Sequence, residues 1–417
     1  VEGVSYPYLS ALGDECTLTV SVIGCGTVTP MAGSYTHSYG EAIPISATPD
    51  TGWHLVEWLG GNVADAHDTN TTVVMDSNKT VTAHFRKFYE IRTLAELQAV
   101  KDDLDGHYIL MNDIDASETS SWNDGAGFEP IGSYTERFTG ILDGNGKTIT
   151  GLIINRSNTG IAGLFGWIET NSIIKDLGLN GGKVTGNDSD VGGLVGVSNG
   201  TITNCYMTGI VNGGDAGGLV GYQDSGTITN CYATGSVNGG YAGGLVGILW
   251  NGTIANCYAT GRVDGGGGLV GSQDGGTILN CYATGNVSGT WSIGGLVGSQ
   301  DGGTITNCYA TGSVSGTRSI GGLVGNQDGG TITNCYATGS VSTTDYYMNT
   351  YVGALVGQQL DGTILNCYAT GSVNATYSYM DLYVGGLVGC QDGGTITNCY
   401  AIGSVNAIYS SYTYIGG

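Results

Sequence analysis

The chain has 417 residues, of which 77 are Gly and only 5 are Pro, and 40% of it is hydrophobic. That excludes collagen, which needs about one-third Gly with abundant Pro, and a disordered linker. With 35 acidic against 12 basic residues, a net charge of -23 and no Lys/Arg cluster, nucleic acid and anionic membrane surfaces are poor partners.

Residues 1–14 read as an N-terminal arm that could add as a strand to a neighbour. Residues 15–87 read as a small β-rich domain. Apolar and polar residues alternate at 18–22, 43–47 and 80–85, as strands with one buried face require. Cys16 and Cys25 lie in adjacent strand segments there and could pair as a disulfide in an extracellular setting. Residues 88–140 read as a cap and lead-in coil. Thr93 and Glu96 have the spacing of a capping box, and Leu94, Leu97, Ala99, Val100 and Leu104 form one apolar face. This spacing predicts a helix over about 93–104 that covers the open end of the first coil behind it.

From residue 141 to 417 the chain repeats itself. Gly-Gly-Leu-Val-Gly starts at Gly192, Gly217, Gly243, Gly267, Gly294, Gly321 and Gly385, with an Ala-containing variant at Gly353. The starts are 24 to 27 residues apart, lengthening to 32 at the end. A second block follows each, written out in full from Gly303 to Val314 as Gly-Thr-Ile-Thr-Asn-Cys-Tyr-Ala-Thr-Gly-Ser-Val. No helical period fits these blocks. Short runs of Val, Ile, Thr and Tyr broken by Gly and Asn predict three short strands per repeat, one coil of a parallel β-helix. Coils stack about 4.8 Å apart, so every position meets its own copy. Ile305 then points inward and Thr306 outward. Asn307 turns a corner and resets the alternation, so Cys308 and Ala310 point in while Tyr309 and Thr311 point out. Leu296 and Val314 fill the remaining walls. Glycines supply the positive-φ corners and thin walls. The Asn residues from Asn204 to Asn398 are expected to form an amide ladder along one corner. The final Ile415-Gly416-Gly417 reads as the opening of a further repeat, implying a fragment or a subunit that stacks head to tail.

The repeating Gly-Gly-Leu-Val-Gly and Asn-Cys-Tyr-Ala-Thr-Gly blocks resemble the GLUG motif of bacterial and archaeal surface proteins. Lead-in residues 108–115, 128–132 and 138–146 look like the usual approach to such arrays. Residues about 16–86, through Gly26-Thr-Val-Thr-Pro30, Ala47-Thr-Pro-Asp-Thr-Gly-Trp53, Trp58 and Val81-Thr-Ala-His-Phe85, resemble a divergent InlB-type B-repeat module. The resemblance implies a secreted or cell-surface, adhesin-like protein. GLUG arrays also accompany some IgA-cleaving metallopeptidases. None of His37, His54, His67, His84 and His107 begins the His-Glu-x-x-His zinc motif those peptidases need, so that activity does not carry over.

Four sets of residues are candidates for chemistry. Asp274, Asp301 and Asp328, with Asp392, recur in Gln-Asp-Gly turns, and Asp224 and Asp361 hold the equivalent place in their repeats. They are either turn formers or a row of oxygen ligands for calcium, the one cofactor the pattern allows. Cys205, Cys231, Cys257, Cys281, Cys308, Cys335, Cys367 and Cys399 form an inward ladder, either free buried thiols or inter-coil disulfides. A metal row fits less well, because Cys-x-x-Cys pairs are missing. Cys390 falls off the ladder, in an expected turn. Tyr309, Tyr336, Tyr368 and Tyr400 continue an outward tyrosine row begun at Tyr206. Tyr346, Tyr347, Tyr377, Tyr379 and Tyr383 sit in longer late repeats, with Tyr409, Tyr412 and Tyr414 beyond. These rings either stack as a shield or offer an aromatic contact strip.

The fold expected is all-β: a parallel β-helix, or β-solenoid, of about ten coils with one capping helix, preceded by a small β-rich domain. The expected protein is extracellular or on the cell surface, non-enzymatic, and structural or adhesive. Its expected partners are copies of itself in a fibre, or a cell-surface glycan or protein, with no membrane insertion. The alternatives are a monomeric adhesin and a polysaccharide lyase or hydrolase built on a β-helix.

Overall fold

The computed structural model describes residues 15–156, 160–187, 190–343 and 349–416, with side chains at 377–379 and 409–412 excepted. The chain divides into two compact units, residues 1–89 and 90–417.

In the first unit, β1 (Glu15–Ile23) pairs antiparallel with β3 (Gly33–Ser38) and parallel with β7 (Lys79–Ile91), which also takes β5 (Trp53–Leu59) on its other edge. A second sheet joins β2 (Gly26–Thr29), β4 (Ala42–Pro49) and β6 (Asn70–Val74). Alternation puts Leu18, Val20, Ile43, Ile45, Val81, Ala83 and Phe85 in one core with Trp58. The buried Trp58 indole Nε1–H donates to the Asp68 carbonyl at 3.0 Å, so its polar edge is satisfied. Cys16 and Cys25 are not bridged. Cys16 is buried near the start of β1, and Cys25 is exposed beyond its end. Seven steps of extended chain separate Cys16 from Ile23, about 23 Å at strand rise, far outside disulfide reach.

The second unit opens with a helix shorter than its apolar pattern suggests: α1 spans Leu94–Ala99, and a 3₁₀ turn follows over Val100–Asp102. The capping box is complete. Glu96 N–H donates to Thr93 Oγ1 at 3.3 Å, and Thr93 N–H donates to Glu96 Oε2 at 3.0 Å. Leu94, Leu97 and Val100 are buried in the same core as the coils, which is the covering role expected of a cap.

Behind it the coils stack in parallel. One face carries eleven short strands, from Ile114–Asp115 to Tyr400–Ala401, each displaced by a whole repeat from the next. A coil holds four or five strand segments, not three. Starting at Val297 they are Val297–Gln300, Thr304–Thr306, Tyr309–Ala310, Val314–Gly316 and Ser319–Gly321. Each run is cut to two to four residues because Gly or Asn closes it. The corner after Thr306 is Asn307, at φ 55°, and all eight ladder asparagines sit in this left-handed region. Asn tolerates it because its short amide bonds locally. Many glycines therefore serve close approach, not backbone turn. A Cβ on Gly294 would collide with the Val297 carbonyl oxygen and with Gly325 N of the next coil. The interior is filled by single-file rows, among them Ile305, Cys308, Ala310, Val314, Leu323 and Val324, all fully buried.

Candidate functional surface

Stacking turns each outward residue into a row. Tyr206, Tyr232, Tyr258, Tyr282, Tyr309, Tyr336, Tyr368 and Tyr400 are register partners from coil to coil. Their rings lie 4.9–5.3 Å apart and within 2–7° of parallel. Each ring shields its neighbours and is half-buried; only the last, Tyr400, is exposed. Burial, with the adjacent phenol, raises the pKa of Tyr232 and Tyr309, so these two phenols stay neutral and keep their hydroxyls as donors. Among the described insertion tyrosines, Tyr383 does not extend this row. Tyr351, Tyr383 and Tyr414 form a separate stack on another face, with centroids 5.1 and 4.8 Å apart. They branch from the chain between Val373 and Gly385 and its equivalents, a different corner of the coil. Tyr346 and Tyr347, and the side chains of Tyr377 and Tyr379, lie outside the described residues.

Beside the tyrosines runs the amide ladder. Nδ2 of Asn280, Asn307, Asn334, Asn366 and Asn398 each donates to Oδ1 of the Asn one coil earlier, at 3.2–3.3 Å.

Inside the same corner, the eight ladder cysteines are free thiols. The backbone N–H of each from Cys205 to Cys367 donates to the sulfur of the next coil at 3.3–3.4 Å. The Cys308 thiol itself donates to the Thr306 carbonyl. Burial pushes the Cys231 thiol far above its ordinary range, which makes it a poor nucleophile. Cys390 is not in a turn. It sits in the strand Val388–Gln391 opposite Gln358, half-buried.

The turn aspartates make the contacts of turn residues. Ser272 Oγ donates to Asp274 and Ser299 Oγ to Asp301, at 3.3 and 3.2 Å. Burial, with the Asp274 charge nearby, raises the Asp301 pKa, and Asp328 is exposed. Among the described residues no three His, Cys, Asp or Glu side chains gather as a metal site, so Asp274, Asp301 and Asp328 do not converge on a calcium position.

Two features escaped the sequence reading. One is a row of buried glutamines: Gln273, Gln300, Gln327 and Gln359 are in register, and Leu249 separates them from Gln223. Gln273 and Gln359 donate from Nε2 to the carbonyls of Gly276 and Gly362, tying the turn to the wall. The recurring Gln before Asp was the available signal, but Val297 and Gln300 are three residues apart, so simple alternation from Val297 points to Ser299 and hides the buried Gln. The other is an acidic cleft of about 320 Å³ lined by Tyr134, Trp167, Asp190, Asp215, Tyr222 and Asp224. Arg137 stacks 4.1 Å over Trp167 and pairs with Glu169. Asp190 and Asp215 are register partners on successive coils. Burial, then the Asp215 charge, pushes the Asp190 carboxyl up to about 6, and burial raises Asp215 too. Tyr222 is pushed up to about 12 by burial and the surrounding aspartates.

Residues 16–88 match the divergent InlB B-repeat domain. The GLUG motif matches seven segments, 212–238, 238–264, 265–288, 289–315, 316–342, 348–374 and 381–406. The chain thus carries seven GLUG motifs along its β-solenoid, after a segment that matches the InlB B-repeat domain. Over 219 residues, half of the chain, it is 41% identical to Halomucin of Haloquadratum walsbyi, of which it spans 2%. Over 120 residues, 28% of the chain, it is 41% identical to a protein described as a Gly-rich membrane protein of Evansella cellulosilytica, of which it spans 14%. The chain therefore covers a small part of the curated relatives it matches. Among solved structures it is similar to one described as an immunoglobulin A1 protease from Bacteroides ovatus, with 19% identity, a TM-score of 0.42, and 74% of this chain and 84% of that one covered. A second IgA1 protease structure matches at 16% identity and a TM-score of 0.38, covering 96% of this chain and 29% of that one.

Proposed function

We propose that this GLUG-repeat solenoid works outside the cell as a non-enzymatic structural or adhesive surface protein. The observation that carries the reading is the eight-ring tyrosine stack, which presents one contact group every 4.9–5.3 Å along a rigid wall. A row of identical weak contacts suits avid, repetitive attachment to a partner or to copies of itself. The likeness to Halomucin and to a membrane protein supports a surface location. Among the described residues no helix is long and apolar enough to cross a membrane. An antibody against the purified chain is expected to decorate intact cells; labelling only after permeabilisation overturns the surface reading. Electron microscopy of a concentration series separates the two structural forms, fibres against single solenoids.

The acidic cleft supports a second reading, cleavage of a polysaccharide. Asp190 has an acid's pKa and Asp215 lies one coil away, the pairing of carboxyls that glycosidic chemistry uses. Turnover of a polysaccharide by the wild-type chain, lost in Asp190→Asn, would establish it over the non-enzymatic reading.

A further inference from the structure

The corner after the valine wall changes length from coil to coil. Val237, Val263 and Val287 stack in register, and so do Gly243, Gly267 and Gly294. Between those fixed points the middle coil has only three residues, 264–266. The coil before it has five, 238–242, and the coil after it has six, 288–293. Both ends are pinned by the ladders, so the difference appears at the corner itself. The short corner becomes the floor of a notch and its longer neighbours become walls, enclosing about 650 Å³.

The walls are aromatic and the floor is bare. Tyr241 stands on one side and Trp291 on the other, with 52% and 56% of their surfaces exposed. The floor is Gly265 and Gly266, both at positive φ, with no side chain to cover the backbone. Asn238, Asp264, Thr290 and Ser292 supply amide, carboxylate and hydroxyl groups around the rim. Asp264 is oriented by the Ser288 hydroxyl, which donates to Oδ1 at 3.2 Å. Trp291 is held as well. Ser319 and Ser292 are register partners, so Arg318 belongs to the following coil, and its guanidinium lies 5.0 Å from the Trp291 ring centre. The short coil of the notch lies on the opposite side of Trp291 from Arg318, so this cation–π contact holds the ring from the following coil.

We propose that this notch is a glycan-binding site that takes a neutral or amino-sugar pyranose unit of a polysaccharide. A pyranose ring has an apolar C–H face and a rim of hydroxyls. The C–H face matches the electron-rich faces of Tyr241 and Trp291, and the hydroxyls match the mixed donors and acceptors of the rim and the uncovered backbone. The volume suits one or two sugar units. Charge selects within the class. Asp264 in the notch and the net charge of -23 repel uronates and sulfated sugars, and accept a neutral or cationic one. A purely apolar ligand would strip water from Asp264 with nothing in return. The site is separate from the stacked tyrosines. It binds whether the solenoid acts singly or in a fibre, so its failure would leave the surface reading standing.

The test uses the full chain on an array of neutral, amino and acidic glycans, followed by titration of the best soluble oligosaccharide. Saturable binding to neutral or amino sugars is expected, weakened at least about tenfold by Trp291→Ala or Tyr241→Ala. Tyr309→Ala in the tyrosine stack is expected to leave it unchanged. Trp291 and Tyr241 are exposed, so neither variant disturbs the core, and unchanged melting temperatures verify this. Absence of binding to every glycan overturns the proposal. So does binding that survives both aromatic substitutions, or binding confined to acidic glycans.

Discussion

Asp190 shows how a single residue inherits its chemistry from stacking. Alone in a turn-rich acidic sequence it is one of 35 acids. In the fold it shares a half-buried cleft with its register partner Asp215, and its carboxyl titrates at about 6 against an ordinary 3.8. Between those values the folded chain holds a proton that the unfolded chain has released. The stabilisation from that proton is full below about pH 4 and is lost as pH rises through about 6. Asp190→Asn removes the penalty. The variant is expected to be more stable than wild type at pH 7 by about 1–2 kcal/mol after allowance for partial solvent screening, with the gap closing toward pH 4. Urea melts of both proteins at the two pH values measure this; an equal gap at both would show that the Asp190 proton is not responsible. Nothing in the sequence singled out Asp190, because its partner Asp215 is 25 positions away and only the stacking brings them together. The tyrosine and cysteine rows, by contrast, were legible at the residue scale, since each member repeats at an identical place in its block.

At the scale of the coil, the Asn corner organises the rest. Asn307 does two things: it holds φ at 55°, and it carries two ladder bonds, donating to Asn280 and accepting from Asn334. Two substitutions separate these roles. Asn307→Ala is expected to cost about 1–3 kcal/mol, combining left-handed strain with the two lost ladder bonds. Asn307→Gly is expected to recover the backbone share, leaving only the loss of the bonds. Chemical denaturation of the three proteins measures both; equal losses for Ala and Gly would assign the whole effect to the ladder. The corner was visible in the sequence because the inward alternation of Ile305 restarts at Cys308. The number of strand segments was not. Pattern reading merges neighbouring runs into three walls, while the folded coil breaks them further, as between Val314–Gly316 and Ser319–Gly321. The helix was overextended for a related reason. Leu104 continues the apolar face of 94–100, but the chain leaves the helix after Ala99 and packs Leu104 against the core from outside it.

Across the whole molecule, two features set stability: separate cores and unbalanced charge. Residues 1–89 and 90–417 each have a core of their own, and the solenoid's is continuous from the cap helix to the late coils. Each coil gains stability from its neighbours, so the array behaves as a chain of nearest-neighbour contacts. The net charge of -23 is spread over surfaces that bring like residues into register, such as the aspartates of successive turns. Self-repulsion of that kind is screened by salt. Raising NaCl from 10 to 500 mM is expected to increase the melting temperature by several degrees. Calorimetry at both salt concentrations measures the shift, and an unchanged melting temperature would show that repulsion between the acidic rows does not limit stability.

The sequence by itself determined the class of fold, the parallel register and the identity of the inward and outward rows. The register depends on the repeat itself, which brings each position beside its own copy, and the rows depend on which way alternate side chains point within each block. Tertiary structure alone decided the four- and five-segment coils, the buried glutamine row, the separation of the two tyrosine stacks, the free state of Cys16 and Cys25, the acidic cleft and the aromatic notch. Each of these depends on distances between residues in different coils or at opposite ends of a strand. A repeat that is three residues long at one corner and six at the next reads as a small irregularity in the sequence. Only when the coils are pinned together on both sides of that corner does the difference become a space with walls.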